Sequence, residues 1–401
     1  MIDQIRSQFP LFSTSNPPIF LDTGASSLTP TSVTKAMTDY YNDYSVNIHR
    51  GLYEMSQKAT ELCEVTRTAV ADFINADAEE IIFTSGTTLG LNMLASMLKD
   101  TVNAGDNIVI SIAEHHANIL PWKEICDAVG AELRYIGLTD EYRIDYDQAK
   151  DLIDDKTKIV SVTGMSNVLG TIPDIKRLTS LAHDHNALMV VDAAQRIAHA
   201  QTDVKQLDCD FLVFGAHKMY GPTGVGVLYG KKELLKKMQP VFVGGDIVSM
   251  VTKTEVTYVD APHKFETGTP HIAGIIALGE AVKFITSIGW KYIEQHEKEL
   301  NDYAIKKLLD IEGLTLIGPK SSNNRGANFA FTIDKLHTHD IADILSKQHI
   351  AVRAGSHCAM PLSIELGING TTRASCGIYT TKKEIDALCV GINKAKQLFS
   401  L

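Results

Sequence analysis

Short, unbroken apolar runs punctuate the first 230 residues: Glu80 to Phe83, Asn107 to Ile112, Lys158 to Gly164, Leu188 to Val191, Phe211 to Phe214 and Gly224 to Tyr229. Between them apolar residues recur at three- and four-residue spacing, as at Leu91, Leu94 and Ala95. The runs read as strands buried on both faces, and the stretches between them as helices. Their alternation predicts an α/β fold whose sheet is mainly parallel and joined by right-handed crossovers. After a Gly244-Gly245 pair the order loosens, and from Ile272 the run IAGIIALGEAVKFI predicts a buried helix, too short and too rich in Gly and Ala to span a membrane. From 290 onward amphipathic helices alternate with short strands at Ala327 to Ile333 and Ile350 to Val352.

That change of rhythm divides the chain. Residues 18–286 are expected to form a large domain, and residues 1–17 with 287–401 a smaller one, as befits a chain of 401 residues. The first 17 residues read as a helix followed by a Pro-rich segment, with a strand beginning at Ile19.

Composition narrows the class. With 44% hydrophobic and 21% charged residues the chain is globular, and a net charge of −10 gives no basic surplus for nucleic acid or anionic membrane. The lysine-rich KKELLKK at 231–237 reads as a solvated helix face. The N-terminus carries no apolar run of signal-peptide length and the chain no uninterrupted span, so a cytoplasmic location is expected. Cys63, Cys126, Cys209, Cys358, Cys376 and Cys389 are widely spread without a CxxC pair, which argues against a zinc site and a disulfide framework.

The candidate chemistry sits where apolar runs stop. Lys218 follows the run Phe211 to Phe214 within DFLVFGAHKMYGPTGVGVLYG. Hemmed in by small residues, aromatics and His217, it can shed hydration, which lowers an amine's pKa and suits it to Schiff-base chemistry. Taken alone, the stretch reads first as a solvated loop lysine. Asp192, closing the run Leu188 to Val191, changes that balance. A carboxylate at the end of a buried strand needs a cation, and the protonated ring nitrogen of pyridoxal phosphate (PLP) is one. Gln195, three residues on, can donate to the ring's phenolic oxygen; a helix N-cap is the competing role for Asp192.

With VDAAQ, SNVLGT, AHKMYGPTG and RAGSHCAMPL in place, nearly the whole chain resembles a fold-type I PLP enzyme of the class V aminotransferase group, and specifically the cysteine desulfurases. The resemblance implies a large domain built on a seven-stranded sheet and a smaller α+β domain. Its loop around Cys358 is similar to that of the short-loop, SUF-pathway (group II) type, in a family shared with selenocysteine lyases. It implies Lys218 as the lysine that holds the cofactor and Asp192, Gln195 and His217 as its neighbours. Thr87 and Thr88, in a Gly/Thr turn opening a helix, would bind its phosphate, and His115 would stack on its ring. Asn167 would contact the phenolic oxygen or the substrate carboxylate. Arg373, with Asn167, His49 and Arg353, would form the substrate pocket, and Thr267 would reach the phosphate of a neighbouring subunit in a homodimer. Cys358 would be the sulfur-accepting thiol, activated by a nearby Arg or His⁺. His339 would engage a zinc-bearing acceptor protein, although HxHD can equally start a helix with Asp340 as cap.

The sequence departs from the family at Leu89, at Gly215, which lacks a hydroxyl for the phosphate, at Ser356, which replaces a usual histidine, and at Tyr379-Thr380. The implied function is conversion of L-cysteine to L-alanine with transfer of sulfur to Cys358 for a downstream acceptor, as in iron–sulfur cluster assembly. Selenocysteine lysis or another PLP-dependent C–S lyase reaction is the nearest alternative, and a PLP-fold scaffold protein without activity the more distant one.

Overall fold

In the computed structural model, which describes residues 1–400, a two-residue strand β1 (Ile19–Phe20) precedes seven strands that make one sheet. These are β2 (Ile81–Thr84), β3 (Asn107–Ser111), β4 (Glu132–Ile136), β5 (Thr157–Thr163), β6 (Leu188–Asp192), β7 (Phe211–Gly215) and β8 (Gly226–Gly230), in the order β2-β8-β7-β6-β5-β3-β4. From β7 to β4 all pairings are parallel, whereas β8 runs antiparallel to both β7 and β2. The cause is the link between β7 and β8, which holds only a 3₁₀ turn at Ala216–Lys218 and no crossover helix. A chain so short of crossover length can only return alongside itself. The C-terminal ends of β2, β3, β5, β6 and β7 therefore share one edge, where open α/β sheets carry their sites.

Alternate residues of each strand feed two cores. Ile81, Phe83 and Val109 face one and Ile82, Ile108 and Ile110 the other. The helix Ile272–Ile288 is buried nearly all round in the first core, against helices Thr31–Asp43 and Glu54–Ile74. At Gly289, with φ +84°, it turns by 76° into Trp290–Leu309. Among the described residues no single helix is long and apolar enough to cross a membrane. An exposed hairpin, β9 (Val248–Val251) and β10 (Val256–Tyr258), projects from the irregular region.

The second unit holds β11 (Leu314–Ile317), β12 (Asn328–Ile333), β13 (Ile350–Ala351), β14 (Arg353–Gly355) and β15 (Thr371–Ser375). Its antiparallel sheet, ordered β11-β12-β15-β14, has its own apolar core. β1 pairs with β13, Leu21 lies in that second core, and Ser375 N–H donates to Leu21 O at 2.7 Å. Ile19 and Leu21 thus pack on the smaller unit's core, within the span 18–286 that the sequence pattern assigns to the larger. Phe9 bridges both, with its ring 4.9 Å from that of Tyr379 and 5.5 Å from that of Phe284. A buried pair, His199 Nδ1 to Glu297 Oε1 at 2.6 Å, adds a second tie, for Glu297 also accepts the Ala327 N–H at 2.9 Å.

Candidate active site

Between the C-terminal edge of the large sheet and β14–β15 lies a cavity of about 460 Å³, in the range of small-molecule sites. Each loop at that edge sends one or two side chains into it. Thr87 and Thr88 follow β2, His115 follows β3, Asn167 follows β5, Asp192 and Gln195 close β6, and His217 and Lys218 follow β7. From the smaller unit come Arg353, His357, Cys358 and Arg373. Lys218 and Cys358, 140 positions apart, meet in one space only because the two units close on each other.

Electrostatics in the floor are set by burial. Desolvation pulls the Lys218 ammonium down to about 8, with Arg373 adding to the effect and Asp192 opposing it. Asp192, only 3% exposed, is pushed up by the same desolvation, while the Ala194 N–H, donating to Oδ1 at 2.9 Å, and the Lys218 charge pull it back. A buried carboxylate with one amide and one weakened cation for company is under-satisfied. Gln195 is held by donating from Nε2 to Gly24 O at 2.7 Å. Beside it, burial draws His115 down to about 4. Its Nδ1 accepts the Ala117 N–H at 3.1 Å, so the neutral ring carries its proton on Nε2.

The opposite end of the cavity suits an anion. Helix Thr87–Leu98 starts there with Gly86 as N-cap and no side-chain cap, so its first-turn amides are without intrahelical partners. Thr87 Oγ1 is buried with no hydrogen-bond partner. A Cβ at Gly215 would stand 3.2 Å from Thr87 Oγ1 and 3.3 Å from His217, so the missing side chain leaves room for these two to share one wall. An orphan hydroxyl and free amides for a phosphate, a buried carboxylate for a ring N–H and a low-pKa lysine for an aldehyde fit PLP.

The sulfur end is built on strained backbone. His357 and Cys358 have φ of +53° and +57°, both left-handed. Asn167 Nδ2 donates to His357 O at 2.8 Å, and His357 Nε2 lies 2.9 Å from Thr371 Oγ1 and 3.1 Å from its carbonyl. Burial, helped by Arg373, lowers His357 to about 3. Of the two activating groups expected beside the thiol, an Arg or a His⁺, the structure supplies the arginines: burial keeps His357 neutral, and the cations here are Arg353 and Arg373. Arg373 is 2% exposed; it donates to Asn167 O at 3.0 Å and to Asp22 Oδ1 at 3.2 Å, and its buried Nε has no partner. Arg353 grips the same carboxylate at 3.1 Å. Cys358 itself is exposed, whereas the other five cysteines are buried.

Two expected residues lie elsewhere in this chain. His49 is exposed at φ +72°, its ring 5.6 Å from that of His263 in a separate cleft, because the turn after helix Thr31–Asp43 leads away from the cavity. Thr267 is also outside, donating to Phe242 O at 2.7 Å. His339 is exposed at the start of helix Thr338–Ser346, where His337, not Asp340, is the N-cap. Residues the motifs passed over include Asp22 and Glu114. Glu114 is fully buried, and desolvation pushes it up to about 8 against donors Ser111, Asn118 and Thr163 N–H. An acidic residue closing an apolar run, as at Asp192, is the signal that marks both.

Comparison with known proteins agrees with this geometry. Residues 19–388 match the family model for class-V aminotransferases. A probable cysteine desulfurase of Halalkalibacterium halodurans is 44% identical, covering 99% of this chain and 98% of that protein. The apo cysteine desulfurase of Thermococcus onnurineus NA1 superposes with a TM-score of 0.95 at 38% identity, over 98% of both chains. The cysteine desulfurase CsdA of Escherichia coli, solved with an S-sulfonic acid, superposes with a TM-score of 0.91 at 37% identity, over 99% of both chains. The chain belongs to the class-V aminotransferase family and, within it, to the cysteine desulfurases.

Proposed function

We propose that the chain converts L-cysteine to L-alanine with PLP and keeps the sulfur as a persulfide on Cys358. The observation that carries the assignment is the shared cavity of Lys218, Asp192 and Cys358. Bound PLP supplies an aldehyde carbon for the substrate's amine and a protonated ring that draws electrons from Cα. Asp192 holds the ring proton, and the Thr87 hydroxyl with the first-turn amides takes the phosphate. Lys218 anchors the cofactor at rest and, when free, takes the Cα proton at Nζ. At a pKa of about 8, roughly a tenth of Nζ is unprotonated at pH 7, against ~0.03% for an ordinary lysine.

Arg373 Nε and the Asn167 amide hold the substrate carboxylate, with Asp22 fixing the arginine's plane. His115 donates through Nε2–H. Cys358, as thiolate, attacks the substrate sulfur: the S–S bond forms, the C–S bond breaks with its electron pair going to carbon, and that carbon is then protonated to the methyl group of alanine. The chain acts as a homodimer in which Thr267 serves the partner's phosphate site, and passes sulfur to an acceptor protein that docks near His339. Cysteine incubated with the holoenzyme and a reductant should give alanine and sulfide together. Cys358→Ser should keep the yellow cofactor colour and lose both products; normal turnover by that variant would remove the persulfide role.

A further inference from the structure

We infer that His116 is a positioning residue for the Cys358 loop, clamping it through two hydrogen bonds and tying it to the turn that carries His115; the inference rests on the desulfurase reading above. The His116 N–H donates to Cys358 O at 2.7 Å, and its ring Nε2 accepts the Met360 N–H at 3.1 Å. The two bonds hold the chain at the thiol's own residue and two positions on. The backbone there needs such support. Two consecutive non-glycine residues, His357 and Cys358, sit in the left-handed region, a conformation kept only where the surroundings over-determine it. Asn167 secures His357 O, and the Thr371 contacts secure the His357 ring. Past the thiol, the chain enters the short helix Met360–Glu365, whose first amides have no intrahelical partner. The His116 ring satisfies the first of them.

The same bond fixes the chemistry of the clamp. An imidazole nitrogen that accepts from an amide is unprotonated, so the neutral His116 ring carries its proton on Nδ1. His115, the next residue, has the opposite tautomer, with Nδ1 accepting from Ala117 N–H and Nε2 carrying the proton toward the cavity. One dipeptide thus lines the cavity with a donor and presents an acceptor to the loop that holds the thiol.

The test separates shape from hydrogen bonding. His116→Phe keeps the bulk and deletes the acceptor, while His116→Gln returns an oxygen near the position of Nε2; His116→Leu replaces the Phe variant should that fail to fold. In the holoenzyme, the spectral change on adding cysteine, which reports the Lys218 steps, should match the parent in all variants. Persulfide formation on Cys358, followed by rapid quench and mass spectrometry, should fall about 10- to 100-fold in His116→Phe, the loss expected when a reacting group is misplaced by about an ångström. His116→Gln should recover most of it. Amide exchange at Met360 should quicken in His116→Phe and not in His116→Gln, a readout independent of turnover. Should the parent form no persulfide, the desulfurase reading fails and amide exchange alone decides the clamp. Parental persulfide rates and Met360 protection in His116→Phe, or equal losses in the Phe and Gln variants, would overturn it.

Discussion

Replacing Thr87 by Val should push two properties of the protein in opposite directions. Thr87 Oγ1 is buried and lacks a hydrogen-bond partner, and Gly86, not Thr87, is the N-cap of its helix. In the cofactor-free protein the hydroxyl therefore costs stability: an unsatisfied buried polar group is unfavourable by about 1–3 kcal/mol. Valine keeps the branched shape and removes that cost, so the apoprotein should gain about 1 kcal/mol after allowance for local relaxation. For 401 residues at ~2.1 cal/mol/K each, the unfolding entropy is about 0.8 kcal/mol/K, so 1 kcal/mol moves Tm by only ~1 °C. A denaturant titration is the sharper assay. Phosphate binding responds the other way, since a hydrogen bond to a charged acceptor contributes about 1.5–3 kcal/mol, and the Kd for PLP should rise roughly 10- to 100-fold. Parallel urea and PLP titrations of parent and variant read both signs. If Thr87→Val destabilises the apoprotein and binds PLP as before, the hydroxyl is a structural cap and the assignment of the phosphate end is wrong.

Asp22→Asn should raise KM for cysteine about tenfold with kcat little changed, since it removes one charge-assisted anchor of the Arg373 plane; equal kinetics would show that Asn167 suffices. In the apoprotein, capture of PLP by Lys218 requires the free amine, so its rate should rise with pH to half-maximum near about 8. Asp192→Asn removes a charge that favours the ammonium, so the midpoint should fall; stopped-flow absorbance measures it, and a midpoint near the ordinary 10.5 would contradict the burial argument. His199 is raised above its ordinary value despite burial, because Glu297 pairs with it. A raised folded pKa gives stability that is fully present below the unfolded pKa and lost as pH rises through the folded value. The deficit of His199→Gln in denaturant titrations should therefore be largest below about pH 6.5 and shrink in alkali; a pH-independent deficit would show that the pair does not titrate.

Much of this is legible in the chain alone. Asp192 and Lys218 stood out because each is a polar group closing an apolar run, and a strand end is a local property. The alternation of runs carries the mainly parallel sheet, whereas the reversal at β8 comes from the short β7–β8 link, which departs from that alternation. That His49 lies outside this chain's cavity follows from one left-handed turn, to which a motif is blind. Asp22 joins the site through contacts 331 and 351 residues away, and His116 meets its ring partner 244 residues on. Asp22 closes the short run Ile19 to Leu21, but its partners are invisible to that signal, and His116 carries none. The choice between Arg and His⁺ as the thiol's cation is settled by burial, which the motif does not show: desolvation beside Arg373 removes the charge of His357.

The most direct test of the account is the mass of Cys358 after turnover. Holoenzyme treated with L-cysteine, quenched with an alkylating agent and digested, should carry one additional sulfur on the peptide containing Cys358 and on no other cysteine peptide. Alanine should form in equal amount in the first turnover. Alanine production with the extra sulfur absent from Cys358, or found on another cysteine, would contradict the claim that the cavity joining Lys218, Asp192 and Cys358 is where sulfur leaves the substrate.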